Sequence, residues 1–281
     1  MDLVSNGAKE ISKVIRYALD NGDGALIGRN GTIELEQMIL FQPEKCSILL
    51  NNAGIFPMTI SETWRQQSIN ATQDTNVLAT GWYEPLKAAE EIALLKWKCN
   101  AIQIPLRSLE PYYVSNKERW TRLLNGHSVS VISCFTETMK SQIKKLDEIW
   151  PVLNIFPSDI TWNWVQTGHP PKLAQGVNEW PSHIKNSIDA VDWIVSKVVE
   201  QGSRFALIGC GGIGMLVAHK LKERGVIAIV LGGAIQVLFG IKGRRWQNHS
   251  VISKFWNEHW VSPSEDERPG GSYAIEGGCY W

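Results

Sequence analysis

Apolar runs alternate with stretches of helical periodicity along most of the chain. Short apolar runs predict strands at residues 25–28, 46–50, 101–105, 129–135, 152–156, 205–208 and 226–231. Apolar residues at helical spacing predict helices at residues 1–20, 59–71, 84–98, 136–148, 184–200 and 215–224. This alternation is typical of a mostly parallel sheet with helices on both faces, so we predict an α/β fold.

The segment 160–177 interrupts the alternation. It contains Trp162, Trp164, Gly168, Pro170 and Pro171, a composition that predicts a long loop. Long loops inside α/β domains often cover a binding site. We therefore predict one domain over residues 1–281 with a soft division at 160–177. The two Rossmann-like halves would enclose a cleft, with the acceptor on the N-terminal half and a nucleotide on the C-terminal half.

A glycine cluster follows the apolar run 205–208. Gly209, Gly211, Gly212 and Gly214 precede a predicted helix, and such a turn can present backbone N–H groups and a helix N-terminus to phosphate. The spacing G-x-G-G-x-G departs from the dinucleotide fingerprint, and the acid expected about 20 residues later is missing. A Rossmann dehydrogenase is therefore disfavoured. Close packing of helix on sheet is the alternative explanation for these glycines.

Charge and hydropathy exclude several classes of protein. Lys plus Arg and Asp plus Glu both number 28, which argues against non-specific binding of nucleic acid. The longest apolar run, 226–241, is shorter than the roughly 20 residues of a membrane span and contains Gln236. The amphipathic N-terminus does not resemble a signal peptide. We therefore expect a cytoplasmic protein.

The five cysteines are scattered and form no C-x-x-C pair. Cys46, Cys134 and Cys210 stand within or beside apolar runs. This placement predicts buried free thiols in a reducing compartment rather than a disulfide framework or a zinc site.

Several longer strings resemble one known family. They include Ile208-Gly-Cys-Gly211, Ala218-His-Lys-Leu221, the run 231–246 that begins Leu-Gly-Gly-Ala, Leu109-Glu-Pro-Tyr-Tyr113, Ile132-Ser-Cys-Phe-Thr-Glu-Thr138, Asn51-Asn-Ala-Gly-Ile-Phe-Pro57 and Glu276-Gly-Gly-Cys-Tyr-Trp281. With them, the chain resembles polysaccharide-biosynthesis proteins related to the GT-D-type glycosyltransferases over most of its length. The resemblance implies a GT-D-like fold and transfer of a sugar from a nucleotide-sugar donor.

Within that family, the chain is similar in size and motifs to the inverting xylosyltransferases of chloroviruses. This resemblance implies UDP-xylose as donor and a fucose hydroxyl of a viral glycoprotein N-glycan as acceptor, in the cytoplasm of the host cell. Two alternatives stay open. The donor could be another UDP-sugar used in polysaccharide synthesis, or the chain could be a non-catalytic subunit that only binds a nucleotide sugar.

The family motif R-x-G-D-x-E, whose two acids hold a metal ion, is changed in this chain. The corresponding residues are Arg29-Asn-Gly-Thr-Ile-Glu34, so Thr32 replaces the first acid. One carboxylate is a poor site for a divalent cation. We therefore expect that no metal or other cofactor is required, and that cations and backbone amides meet the diphosphate charge. A weak divalent metal site at Glu34 is the alternative.

An inverting transferase also needs a base that accepts the proton of the acceptor hydroxyl. The first candidate is Asp74, which stands between a predicted helix and Gly81-Trp82 with few charges around it. Helix capping is the other explanation for an aspartate at this position. Asp159 is the second candidate, because it begins the Trp-rich segment, and Glu110 is the third; Glu34 becomes a candidate if it holds no metal.

The remaining candidates follow predicted strands, carry positive charge or offer an aromatic face. The residues expected to bind the nucleotide sugar are Arg29, Gly31, Glu34, Asn52, Phe135, Gly209, Gly211, Gly212, Gly214, His219, Gly232, Gly233, Gln236, Lys242 and Arg245. The residues expected to stack on the acceptor are Trp82, Trp162 and Trp164. His219 could instead pack on the sheet, and Lys242 and Arg245 could belong to an exposed basic loop.

Overall fold

Seven parallel strands form one continuous sheet. A computed structural model describes residues 2–42 and 47–281. In these residues the strands are β1 (Ala25–Arg29), β2 (Val77–Ala79), β3 (Ile102–Ile104), β4 (His127–Ser133), β5 (Ile160–Gln166), β6 (Phe205–Gly209) and β7 (Ile227–Val230). Their order across the sheet is β3-β2-β1-β7-β6-β4-β5, and the paired neighbours run parallel. The predicted α/β class is therefore confirmed.

Helices cover both faces of the sheet because successive strand residues point to opposite sides. The helices are α1 (Leu3–Asn21), α2 (Thr32–Leu40), α3 (Ser61–Gln73), α4 (Lys87–Lys96), α5 (Thr136–Gln142), α6 (Leu146–Ile149), α7 (Pro171–Ala174), α8 (Ser187–Glu200), α9 (Gly214–Lys222) and α10 (Ala234–Leu238). In β1, Leu26 packs with α2, α3, α8 and α9, whereas Ile27 packs with α1 and α10. The central strands are buried on both sides, as expected for a parallel sheet.

Polar caps and glycine fix the ends of the longer helices. The side chain of Asn186 accepts hydrogen bonds from the N–H groups of Ile188 and Asp189 at the start of α8. Helix α1 begins after Asp2, whose side chain accepts from Val4 N–H, and ends at Gly22 with φ 71°. No helix in the part of the chain that the structure describes is both long and apolar enough to cross a bilayer.

Two predicted strands are wrong. In the prediction 46–50, Cys46 lies outside the described residues, and the chain from residue 47 is helical and continues as a π-helix, Leu49–Ala53. Residues 152–156 form turns and irregular chain, with Val152 86% exposed. A short apolar run does not distinguish a strand from a buried helical or irregular segment that fills the core.

Two strands were missed. The segment 160–177, predicted as a loop, contains β5 over Ile160–Gln166, where Trp and β-branched residues fit the pleated edge of the sheet. Strand β2 has only three residues, too few to produce a visible alternation. All seven strands belong to one sheet, and the assignment of acceptor and nucleotide to separate halves stays a prediction.

A buried carboxylate fastens the C-terminal region to α5. Glu267, 1% exposed, accepts hydrogen bonds from the N–H groups of Glu137 (2.8 Å) and Thr138 (3.1 Å) and from the Thr138 hydroxyl. It thus satisfies the first turn of a helix that lies more than a hundred residues earlier in the chain. Trp281 Nε1 donates to the carbonyl of Glu267 at 3.2 Å, so the last residue is held at the same point.

We expect Glu267→Ala to lower the free energy of unfolding by about 3 kcal/mol, because it leaves buried N–H donors of α5 without partners. Glu265→Ala is the matched control, since that side chain is 84% exposed and should change stability by less than about 0.5 kcal/mol. Urea titration of both variants measures the difference. Similar losses for the two variants would contradict a capping role for Glu267.

Candidate functional site

A cleft of about 1020 Å³ lies along the carboxyl edge of the sheet. Residues that follow each of the seven strands line it, for example Gly31 after β1, Trp82 after β2, Phe135 after β4 and Gly232 after β7. Ligands of open parallel sheets bind outside this edge. The volume matches the upper end of ligand pockets, about 1,000 Å³, so a nucleotide-sized ligand with an attached sugar fits.

Two arginines pack against the glycine turn that ends β7. A methyl group built on Gly232 would lie 2.5 Å from Arg29 Nη2, and one on Gly233 would lie 2.9 Å from Arg245 Nη1. Gly232 also has φ 58°, a left-handed conformation that side chains disfavour. Only glycines allow both guanidinium groups to approach the backbone at this point in the cleft.

Trp82 holds the guanidinium of Arg29 in place. The Arg29 Cζ atom lies 4.7 Å from the centroid of the Trp82 ring, a cation–π distance. The loop that carries Trp82 is fixed in turn by Glu90, a buried residue whose Oε2 accepts from Gly81 N–H at 2.8 Å. Trp82 therefore lies in the cleft, as predicted, where its contact partner is Arg29.

Two carboxyl groups face Arg29. Burial raises the pKa of Glu34, while the positive charge of Arg29 acts in the opposite direction. Burial also raises the pKa of Glu110 to about 7, again against the charges of Arg29 and Arg107. Glu34 stands in the first turn of α2, where the helix dipole favours a negative charge. Glu110 stands in the loop after β3 and, like Glu34, lines the cleft.

Arg245 is held by the end of the chain. Its Nη2 atom lies 2.8 Å from Glu276 Oε2, and its Cζ atom lies 4.6 Å from the centroid of the Tyr280 ring. Tyr280 OH donates to Glu276 Oε1 at 3.3 Å, and the N–H of Glu276 donates to Asn52 Oδ1 at 3.2 Å. Glu276 and Tyr280 belong to a string that resembles the family, but neither was predicted as a site residue.

The glycine turn after β6 divides into two parts. Gly209 and Gly211 line the cleft, whereas Gly212 and Gly214 serve the packing of α9. The carbonyl of Gly212 accepts from Trp64 Nε1 at 2.8 Å. A methyl group on Gly214 would meet Val230 at 3.3 Å. The predicted exposure of Gly212 and Gly214 to a ligand is therefore wrong, and close packing explains them.

The predicted positions of Asp74 and His219 are also wrong. Asp74 ends α3 just before β2, so it lies at the amino edge of the sheet, opposite the cleft. Its carboxylate lies 2.8 Å from Lys222 Nζ and 3.4 Å from His219 Nε2, near the end of α9. Helix α9 begins at the carboxyl edge, so its last turns must lie at the other edge. Asp74 is a capping and ion-pairing residue at that edge.

Asp159 lies outside the cleft for the same reason. It precedes β5, and its backbone carbonyl accepts from Gly126 N–H at 2.6 Å just before β4. Asp159 and Gly126 each precede a strand, so both lie at the amino edge of the sheet. A carboxylate there cannot reach a ligand at the carboxyl edge.

Trp162, Trp164 and Lys242 also lie outside the cleft. The two tryptophans stack on each other with ring centroids 6.1 Å apart, and both pack edge-on against Phe239 on the flank of the sheet. The Lys242 Nζ atom lies 5.7 Å from the centroid of the Trp256 ring. The predictions that placed them against the acceptor or the phosphates are wrong, because the tryptophans belong to strand β5 and pack, partly buried, against the core.

The other predicted site residues converge on the cleft. They are Arg29, Gly31, Glu34, Asn52, Trp82, Glu110, Phe135, Gly209, Gly211, Gly232, Gly233, Gln236 and Arg245. Gln236 is 1% exposed, and its Oε1 atom has no hydrogen-bond partner within the described residues, while its Nε2 atom donates to the Tyr280 carbonyl at 3.1 Å. Asn52 reaches the cleft from the π-helix rather than from the end of a strand. The individual roles of these residues stay predictions.

The residues around Glu34 do not fit a divalent cation held by paired acids. Across residues 2–42 and 47–281, no three His, Cys, Asp or Glu side chains are placed to bind a metal ion together. Thr32 takes the position of the first acid of the motif, and the carboxylate of Glu276 is already paired with Arg245. The positive charge next to the glycine turn after β7 comes from Arg29 and Arg245.

Comparisons with known proteins give two similar structures. No protein-family model and no curated protein matches the chain. One solved structure is described as a selenomethionine-substituted domain of unknown function 1792; it is 14% identical, covers 83% of this chain and 81% of its own, and gives a TM-score of 0.45. Another is described as showing that domain 1792 has a distinct glycosyltransferase fold; it is 13% identical, covers 94% of this chain and 95% of its own, and gives 0.47.

The close approach of Arg29 to Gly232 gives a direct test. Gly232→Ala adds backbone strain at φ 58° and forces the Arg29 guanidinium to move, whereas Gly202→Ala adds comparable strain at φ 62° in open space. We expect Gly202→Ala to lower the free energy of unfolding by about 1 kcal/mol and Gly232→Ala by about 1–3 kcal/mol more. Urea titration measures both losses. Equal losses would mean that Arg29 is not packed against the turn.

Proposed function

We propose that this protein is a glycosyltransferase that uses a nucleoside diphosphate sugar. The observation that carries the proposal is the pair Arg29 and Arg245, which approach the adjacent glycines Gly232 and Gly233 of one turn. Guanidinium groups bind phosphate oxygens in planar, bidentate geometry. A turn without side chains lets a diphosphate approach between them, and the rest of the cleft has room for the nucleoside and the sugar.

Leaving-group stabilisation is the first task of this arrangement. As the bond between the anomeric carbon and the diphosphate oxygen breaks, negative charge builds up on that oxygen. Arg29 is held in advance by Trp82, so it stabilises this charge without reorganisation, and Arg245 adds a second positive charge at the same turn. The partly buried walls of the cleft strengthen the interaction, because the effective dielectric constant is lower than in water.

Glu110 supplies the base. Its carboxyl group lines the cleft, and a pKa of about 7 makes it a competent proton acceptor near neutral pH. It accepts the proton of the acceptor hydroxyl while the hydroxyl oxygen attacks the anomeric carbon. Attack opposite the departing diphosphate inverts the configuration of the sugar. Asp74 and Asp159, the earlier candidates, are at the wrong edge of the sheet.

The finer identities in this proposal come from the family resemblance. The donor is UDP-xylose and the acceptor is a fucose hydroxyl on the N-glycan of a viral glycoprotein, with transfer in the cytoplasm of the host cell. Another UDP-sugar used in polysaccharide synthesis is the alternative within enzymes. Thr32 in place of the first acid of the motif favours a second candidate function, a non-catalytic subunit that binds a nucleotide sugar.

A transfer assay tests the function. The full chain is incubated with a panel of UDP-sugars, a fucose-terminated acceptor and EDTA, and the product is detected by mass spectrometry. We expect xylose transfer that EDTA does not abolish, because arginines meet the diphosphate charge in this cleft. Complete loss in EDTA with recovery in manganese would contradict metal independence. Tight UDP binding without transfer or hydrolysis would favour the binding subunit, and absence of binding would exclude the donor class.

Glu110→Gln tests the base. We expect turnover to fall by about 10²–10⁴-fold while the Kd for UDP stays unchanged, because only proton transfer is lost. The base must be deprotonated, so kcat/KM of the native chain should rise with pH up to about 7 and then level off. Glu110→Gln should lose this dependence.

Asp74→Asn is the matched control, since it removes one carboxylate charge at the opposite edge of the sheet. We expect its turnover to stay within about twofold of the native value. A large loss in Asp74→Asn together with normal turnover in Glu110→Gln would reverse the assignment.

A further inference from the structure

The carboxylate of Glu276 occupies an anion site built from the chain's own donors. Arg245 Nη2 lies 2.8 Å from its Oε2, Tyr280 OH donates to Oε1 at 3.3 Å, and Cys279 Sγ donates to Oε2 at 3.5 Å. One guanidinium and two further donors around a single anion are the kind of partners that bind a phosphate. Glu276 is thus an internal anion bound to one of the two arginines of the cleft.

The segment that carries this carboxylate, 276–281, crosses the cleft as a strap. At one end, Glu276 N–H donates to Asn52 in the π-helix. At the other, Gln236 Nε2 donates to the Tyr280 carbonyl at 3.1 Å, and Arg245 N–H donates to the Cys279 carbonyl at 3.0 Å. Glu276, Tyr280 and Trp281 line the cleft. The strap therefore covers the site where the two arginines meet the glycine turn.

The backbone at the start of the strap adopts a conformation that depends on these contacts. Glu276, Gly277 and Gly278 have φ values of 46°, 67° and 73°, three successive residues in the left-handed region. Glutamate rarely adopts this region, so the contacts with Arg245 and Asn52 hold it there. The two glycines that follow can change conformation at little cost, which provides a hinge.

Electrostatics make Glu276 the group that must leave when a second anion arrives. The carboxylate of Glu34 already faces Glu276 and repels it. A diphosphate bound to Arg245 would bring further negative charge into contact with both carboxylates. Two anions in contact with one guanidinium repel each other, and this repulsion weakens the contact between Glu276 and Arg245.

We propose that Glu276 holds the place of a donor phosphate on Arg245, and that a diphosphate displaces it and releases the strap 276–281. This inference rests on the proposed function, because it identifies the Arg245 guanidinium and its neighbouring donors as a phosphate subsite of the same cleft. It assigns to the C-terminal strap a direct competition with the donor. The contacts with Glu276 and Tyr280 keep Arg245 in position when no ligand is bound. Only a ligand that bonds the guanidinium better than a carboxylate does can displace Glu276.

Calorimetry with inorganic pyrophosphate and with UDP tests the competition on the full chain. Glu276→Gln keeps the size of the side chain and removes its charge, so we expect it to bind pyrophosphate roughly three- to tenfold more tightly than the native chain. Glu265→Gln, an exposed change in the same C-terminal region, should leave binding unchanged. Equal or weaker binding by a Glu276→Gln variant with native circular dichroism would overturn the proposal.

Alkylation of Cys279 in the native chain gives a second readout that needs no variant. Burial raises the pKa of the Cys279 thiol to about 11, so the closed strap should react slowly with iodoacetamide. Pyrophosphate should accelerate labelling of Cys279, measured by peptide mass spectrometry, and leave Cys99 unchanged, since Cys99 bonds to the Thr72 carbonyl away from the cleft. Slower or unchanged labelling of Cys279 at saturating pyrophosphate would refute displacement of the strap.

The two proposals can fail separately. If pyrophosphate binds and releases the strap but no UDP compound binds, the strap inference stands and the glycosyltransferase proposal fails. If UDP binds and sugar is transferred while Glu276→Gln gains no affinity, the function stands and the competition is disproved. If the native chain and Glu276→Gln bind neither pyrophosphate nor UDP, both proposals are disproved.

Discussion

The packing of two guanidinium groups against one glycine turn is the constraint on which the cleft depends. Strand β7 lies at the centre of the sheet, and its end brings Gly232 and Gly233 between the ends of β1 and β6. Arg29 reaches this turn from β1, and Arg245 reaches it from the chain beyond α10. Because both side chains are fixed by aromatic rings, the positive charge is localised before any ligand binds. The surrounding carboxylates are arranged about these two charges.

Much of this arrangement could be predicted from strand ends. The apolar runs that became β1, β4, β6 and β7 were recognised because each is buried on both faces and bounded by glycine or polar residues. Parallel strands direct their carboxyl ends to one edge, so residues that follow them, such as Arg29, Phe135 and Gly232, were expected together there. All three line the cleft.

The wrong predictions of Asp74 and Asp159 have a common physical origin. Each residue lies next to a strand whose sequence shows no clear pattern of apolar residues. Strand β2 has three residues and β5 resembles a loop because of its tryptophans, so Asp74 and Asp159 were each read as residues of a ligand-binding loop. In the structure each precedes a strand, which places it at the amino edge. Glu276 was missed for a different reason. Its ion pair with Arg245 joins two segments that are distant in the sequence, and no local sequence pattern predicts such a tertiary contact.

The carboxylates of the cleft are not equivalent, and their difference follows from their partners. Glu276 is paired with Arg245, whereas burial raises the pKa of Glu34 against the charge of Arg29. Burial raises the pKa of Glu110, and the positive charge of Arg29 acts in the opposite direction. A pKa of about 7 leaves a large fraction of Glu110 deprotonated near neutral pH while keeping it more basic than an ordinary carboxylate, so among the three it is the one suited to accept the proton of an acceptor hydroxyl.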